Sequence, residues 1–251
     1  MNRIGIIGGM SCESTLHYYD EINRQVNLEA GGLTSADLVL RSVNFEEYHE
    51  LMEIGDWDEI AKRLTRECLD LRLLNKCDYV AIATNTMHKV ADIVIGPHAV
   101  DDGIWPPTPK DVTVPLIHIG DCIARECEKA NAKRVLLLGT KFTMTEDFLK
   151  NRLAMHDIET IDLSDCEEEI DEINRIIFEE LCHGTVTCKS RVFMSDFLGQ
   201  FMAGAGPKPD AIILGCTELD MIIDSDFVGE IPVIDSTAAH IKKIVELCLS
   251  D

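Results

Sequence analysis

No stretch of this 251-residue sequence approaches the roughly 18 consecutive apolar residues that a membrane-crossing helix needs, although 46% of its residues are apolar. The opening Met1-Asn2-Arg3-Ile4 carries no export pattern, so a soluble cytoplasmic protein is the expectation. Basic residues are scarce as well: 23 Lys and Arg stand against 45 Asp and Glu, a net charge of -22. A surface of that sign repels polyphosphate and anionic lipid before contact forms, which removes nucleic acid and membrane from the expected partners. Zinc-knuckle spacing is also missing. Of the 10 cysteines, Cys122 and Cys127, and Cys182 and Cys188, lie near one another, yet neither pair is two residues apart. With no export signal and a chain this long, the cysteines read as reduced and seated on apolar faces, without a metal.

What is present is a rhythm. Short apolar runs occur at 3–8, 37–43, 79–83, 116–119, 135–138, 211–214 and 233–234, with helical patterns between most of them, the first from about Ser14 to Leu28. Alternating strands and helices imply an α/β protein with mainly parallel, doubly wound sheets. The acidic run Cys166-Glu167-Glu168-Glu169-Ile170-Asp171-Glu172 precedes isoleucines at helical spacing, so it reads as a solvated helix N-terminus.

Two of the strand patterns recur. Arg3-Ile4-Gly5-Ile6-Ile7-Gly8-Gly9 is matched in kind by Arg134-Val135-Leu136-Leu137-Leu138-Gly139-Thr140, and Asp78-Tyr79-Val80-Ala81-Ile82-Ala83-Thr84 by Asp210-Ala211-Ile212-Ile213-Leu214-Gly215-Cys216, at the same offset to within one residue. Buried parallel strands look alike in general, but two matches at one offset suggest duplicated halves. A pseudo-twofold relation would then set Thr84 and Cys216 facing each other beyond the carboxyl ends of their strands, where ligands bind in such sheets. Residues 96–110, with four prolines, two glycines and Trp105, break the rhythm and read as a long loop, either a lid or a surface excursion.

The two turns carry the parts that α-proton chemistry needs. Removing the α-proton of an amino acid takes a base on one face, an acid on the other, and donors around the carboxylate where charge develops. Cys216 sits at a strand-to-helix turn whose backbone N–H groups are expected to favour thiolate, the reactive form. Asn85, Thr86 and Thr217 supply amide and hydroxyl donors. Alone, a cysteine at a strand end is more often a small buried apolar residue than a nucleophile.

Taken together, Gly8-Gly9-Met10-Ser11 with Glu13-Ser14-Thr15, Thr84-Asn85-Thr86-Met87-His88, Leu138-Gly139-Thr140 with Thr143-Met144, Ile176-Ile177-Phe178-Glu179-Glu180-Leu181 and Gly215-Cys216-Thr217-Glu218 resemble the PLP-independent aspartate/glutamate racemase superfamily over nearly the whole chain. That resemblance implies two pseudo-symmetric α/β domains, expected at 1–118 with 236–251 and at 119–235, with the site at their interface, no cofactor, and commonly a homodimer. It also implies Thr84 and Cys216 as the catalytic pair, with Gly9, Met10, Ser11, Asn85, Thr86, Thr140, Thr143, Thr217 and Glu218 around a small acidic amino acid. Most members carry cysteine in both turns, whereas Thr84 takes the first position here. The chain thus looks like the Thr/Cys subgroup that prefers the L enantiomer. A hydroxyl ionises far less readily than a cysteine, so L substrate is expected to turn over faster than D.

The cation for the substrate's side-chain carboxylate is not evident, and Arg41 and Lys141 are the candidates. Glu218 either holds the substrate ammonium or caps the helix after it, and His88 either orients a donor near Thr84 or is a satisfied helix histidine. Two other functions fit the same residues: a single-cysteine decarboxylase or isomerase of small dicarboxylates, and a non-catalytic small-acid-binding relative.

Overall fold

The run Ile4-Gly5-Ile6-Ile7-Gly8 forms strand β1 (Ile4–Gly8), and all five of its residues are buried. A strand covered on both faces has no polar side to alternate with, which is why it is continuously apolar. This computed structural model describes residues 1–98, 112–204, 206, 208–223, 229 and 231–250. The chain divides into two units, Met1–His118 with His240–Asp251 and Ile119–Ala239.

In the first unit, β1 lies between β2 (Leu38–Ser42) and β3 (Tyr79–Ile82), and β3 pairs in turn with β4 (Leu116–Ile117). The order β2-β1-β3-β4 is parallel throughout. Helix α1 (Cys12–Ala30) buries Tyr18, Ile22 and Val26 along one stripe, and the Ser11 side chain caps it by accepting from the Ser14 N–H. Helices α2 (Phe45–Glu53), α3 (Trp57–Leu69) and the short α4 (Ala91–Ile95) complete the connections. α3 buries Ile60, Leu64 and Cys68 at four-residue spacing.

The second unit repeats the pattern. β5 (Arg134–Leu138) lies between β6 (Glu159–Thr160) and β7 (Ala211–Leu214), and β7 pairs with β8 (Val233–Asp235), giving the parallel order β6-β5-β7-β8. In both sheets the strand order therefore reads second, first, third, fourth, as two copies of one plan would. Helices α5 (Ile119–Lys129), α6 (Lys141–Thr145), α7 (Asp147–Ala154), α8 (Glu167–Glu179) and α9 (Cys188–Ala203) pack around this sheet. Glu167, Glu168 and Glu169 occupy the first turn of α8, where the helix dipole favours them.

The last helix, α10 (Ser236–Leu249), starts in the second unit and belongs to the first from His240 onward, where the expectation put the return at 236. Ile119 opens α5 instead of ending a strand. Strand β6 has only two residues, too few to leave an apolar signature. Of the proline-rich segment, 99–110 lie outside the described residues. Its flanks meet: His98 and Val112 form an antiparallel bridge, each N–H donating to the other's carbonyl at 3.0 and 3.2 Å. Among the described residues no helix is long and apolar enough to cross a membrane.

Candidate active site

Each sheet brings two of the singled-out turns to its carboxyl edge. In the first unit, β1 and β3 run in register, Ile7 beside Ile82, so the Gly9–Ser11 turn and the Thr84 turn leave neighbouring strand ends. Gly9 has φ +95, and a Cβ there would lie 2.2 Å from the Val43 carbonyl oxygen, a place only glycine fits. The Gly9 N–H donates to Thr15 Oγ1 at 2.7 Å, and that hydroxyl donates to the Ser11 carbonyl at 2.6 Å. Thr15 thereby staples the turn to α1. Met10 and Ser11 are buried. The Gly9 amide is thus already spent on Thr15, so glycine's contribution at this position is the path of the backbone.

The Thr84 turn is held at several points. The Ala83 N–H donates to the Ile7 carbonyl and the Thr84 N–H to the Ile82 carbonyl, both at 2.9 Å. His88 closes the turn from the other side: its backbone N–H donates to the Asn85 carbonyl at 2.9 Å and its ring Nδ1 lies 2.8 Å from the Thr84 carbonyl. A carbonyl oxygen only accepts, so that nitrogen carries the proton. Asn85, Thr86 and His88 are buried, while Thr84 itself is half-buried.

In the second unit, β5 and β7 place Leu138 beside Leu214, so the turn at Gly139-Thr140 adjoins the one at Gly215-Cys216. The backbones approach closely here. A Cβ on Gly139 would lie 2.9 Å from the Gly215 carbonyl oxygen, and one on Gly215 would lie 2.8 Å from that of Leu138. Thr140 caps α6 by accepting from the Thr143 N–H, and the two threonine hydroxyls lie 3.2 Å apart in a buried setting.

Cys216 is buried, and its thiol donates to Glu218 Oε2 at 3.1 Å. The Thr217 hydroxyl donates to the same carboxylate oxygen. Glu218 is only 5% exposed. Its side chain does not cap the short helical turn at Leu219–Met221, which removes capping from its two sequence readings.

The thiolate expectation is corrected by this burial. Loss of water pushes the Cys216 thiol well up from its ordinary range, and the negative charge of Glu218 pushes it further. A backbone hydrogen bond with Glu218 does favour the thiolate, as the turn suggested, but it is outweighed. At rest Cys216 is therefore a thiol, hydrogen-bonded to the Glu218 side chain.

Neither candidate cation is held ready for a substrate carboxylate. Arg41 makes a two-pronged pair with Glu67, Nε at 2.6 Å and a terminal nitrogen at 2.9 Å, and Lys141 Nζ lies 2.6 Å from Asp171. These partners come from α3 and α8, at sequence distances no local pattern reveals. Arg191 of α9, not singled out in the sequence, donates to the Met221 carbonyl at 3.3 Å, just beyond Glu218. His118 and His240, also overlooked, are buried beside His88 in the first unit. Among the described residues no cluster of three or more His, Cys, Asp or Glu is arranged to hold a metal.

Comparison with known proteins bears on these turns. The sequence model of the Asp/Glu/Hydantoin racemase family matches residues 7–244, a span that includes all four. Among solved structures, a candidate Asp/Glu racemase from Yersinia pestis is 35% identical with a TM-score of 0.83, each chain covered in full. An aspartate racemase homologue from Pyrococcus horikoshii OT3 is 34% identical with a TM-score of 0.77, again over 100% of both chains. The aspartate racemase of Picrophilus torridus, 19% identical over 99% of this chain and 94% of its own, shares the fold with a TM-score of 0.64.

Proposed function

The chain belongs to the Asp/Glu/Hydantoin racemase family, and on that premise we propose that it racemises acidic amino acids, aspartate or glutamate, without a cofactor and with the L enantiomer as the preferred substrate. Cys216 is the base for the L substrate and the Thr84 side supplies the proton to the opposite face. The observation that carries this reading is the buried Cys216 thiol donating to Glu218 at 3.1 Å.

Glu218 takes the Sγ proton of Cys216 as substrate displaces water, leaving a thiolate and a neutral carboxyl group. The thiolate removes the α-proton, so the S–H bond forms again while the Cα–H bond breaks. The Thr84 hydroxyl, directly or through a water, then delivers a proton to Cα on the other face. Solvent exchange finally returns the Glu218 proton and reprotonates the Thr84 side. The carboxylate of the intermediate needs donors, and the threonine and asparagine groups of three of the turns, Asn85, Thr86, Thr140, Thr143 and Thr217, are of the right type. The distal carboxylate of the substrate must displace Glu67 or Asp171 to reach Arg41 or Lys141, or else use another cation such as Arg191. Exposed ion pairs of this kind are weak enough to exchange, on the order of 1 kcal/mol or less.

The burial of Cys216 beside the charge of Glu218, which raises the thiol's pKa, favours the non-catalytic reading, in which the protein binds a small acid without turnover. Incubation with L- and D-aspartate and L- and D-glutamate in deuterium oxide separates the two. Racemisation predicts loss of the α-proton signal together with inversion, both abolished in Cys216→Ala. Binding of L-aspartate with no exchange at Cα would favour the binding protein.

A further inference from the structure

Three imidazoles are buried together in the first unit, and the proton transfers above use none of them. His88, His118 and His240 are 3%, 6% and 0% exposed. The ring of His88 meets that of His118 edge-on at 4.8 Å between centroids, and that of His240 at 6.0 Å. Burying polar rings costs free energy unless their nitrogens are bonded, so such a group invites the question of what its bonds hold.

The acceptors fix the protons. His240 Nε2 lies 2.9 Å from the Ile117 carbonyl, which only accepts, so Nε2 carries the hydrogen. Burial holds this ring neutral, with its pKa lowered to about 3. Its Nδ1 is then an acceptor, and the Tyr18 hydroxyl, 2.9 Å away, donates to it. His240 is thereby tied to both α1 and the end of β4, and its ring forms a wall edge-on to His88. On that wall the His88 Nδ1–H points at the Thr84 carbonyl at 2.8 Å. The Thr84 N–H is already bonded to Ile82, and among the described residues the side-chain hydrogen bond to the backbone of Thr84 comes from His88.

We infer that His88, seated against His118 and His240, is a positioning residue that holds the Thr84 turn in the geometry needed for proton delivery to the substrate. The inference rests on the racemase reading and on Thr84 as the donor side. A satisfied core histidine would serve packing alone; here the hydrogen bond ends on the residue whose hydroxyl must lie within reach of Cα. A misplacement of about 1 Å in such a group costs on the order of 100-fold in rate.

The test compares His88→Asn, His88→Gln and His88→Leu. Asparagine carries its amide N–H close to where Nδ1 sits, whereas glutamine carries it one carbon further out. All three lose ring packing and should lose comparable thermal stability. The expected result is a fall in kcat for inversion of about 10- to 100-fold in the Leu and Gln variants, with KM changed little, and recovery to within a few-fold of wild type in the Asn variant. Inversion that tracks melting temperature across the three variants, or that is unchanged in His88→Leu, overturns the positioning role. Absence of turnover in the wild-type protein is a different result, for it removes the racemase reading itself, and this inference with it. Should the Leu variant fail to fold, the Asn and Gln pair decides alone.

Discussion

Two positions apart on one buried turn, Cys216 and Glu218 share a proton-bearing contact of 3.1 Å, thiol to carboxylate. The carboxylate has opposite effects on the two things a catalytic cysteine must do. Its charge discourages the isolated thiolate, yet on the proposed mechanism it is the acceptor through which a thiolate forms.

Replacing Glu218 by Gln separates those effects. Without the neighbouring charge, Cys216 should ionise at lower pH, and its alkylation at pH 8 by a small reagent should speed up by about 10-fold. Turnover should move the other way, falling about 100-fold for want of the proton acceptor. Alkylation rates and kcat measured on the same preparation check this. Parallel changes would show that Glu218 acts on Cys216 only through its charge.

Much of this arrangement was legible before any coordinates, and the reasons are specific. β1, β3, β5 and β7 are buried on both faces, so they read as unbroken apolar runs, and their repeat at one offset matches the repeat of strand order in the two sheets. The turn residues follow directly from those strand ends. The ionisation of Cys216 was not legible, because desolvation is a property of the assembled core, and the N–H groups visible in the motif are the weaker influence. Nor were the partners of Arg41 and Lys141, which lie on other helices. His240 meets Tyr18 across 222 positions, a contact that neither helix's own pattern announces.

His240 should also leave a mark on stability against pH. In the unfolded chain its imidazole takes up a proton near pH 6.5, whereas in the folded chain it stays neutral down to about 3, beside His88 and Tyr18. The unfolded state therefore binds the extra proton between these values. The stability this ring confers is complete above about pH 6.5 and falls by roughly 1.4 kcal/mol per pH unit as pH drops toward 3. Urea unfolding at several pH values, with His240→Gln as the reference, isolates that slope. A wild-type curve parallel to that of the variant would count against a neutral buried His240.

Gly9 provides a check on the first turn. Gly9→Ala combines a positive φ with a Cβ 2.2 Å from the Val43 carbonyl oxygen, and should cost about 2–4 kcal/mol. Gly184→Ala is the control. It too has positive φ, +67, but nothing within 4 Å of its added Cβ, so only the backbone penalty of about 1–2 kcal/mol remains. Denaturant midpoints of the two variants give the comparison, and equal losses would mean that the Val43 strand end yields to the methyl group.

If Thr84 and Cys216 act as the proposed pair, their unequal acidity predicts an asymmetry whose form is constrained. The two enantiomers have equal free energies and cross the same transition state, so kcat/KM must be identical in both directions whatever the groups are. The proposed preference for L would therefore appear in kcat and KM separately. On that reading the D substrate would meet mostly the resting enzyme, in which Thr84 keeps its proton, and binding there would be non-productive. Non-productive binding lowers kcat and KM together. Saturation curves should show kcat larger by about 10-fold or more from L than from D, with KM larger in the same proportion. Thr84→Cys replaces a hydroxyl with a thiol whose ordinary pKa is about 8.5, making the second base accessible, and the two kcat values should converge. Chiral chromatography of initial rates across full saturation curves measures both. Equal kcat values in the wild-type protein, or a ratio that Thr84→Cys leaves unmoved, would mean that Thr84 is not the donor on the second face.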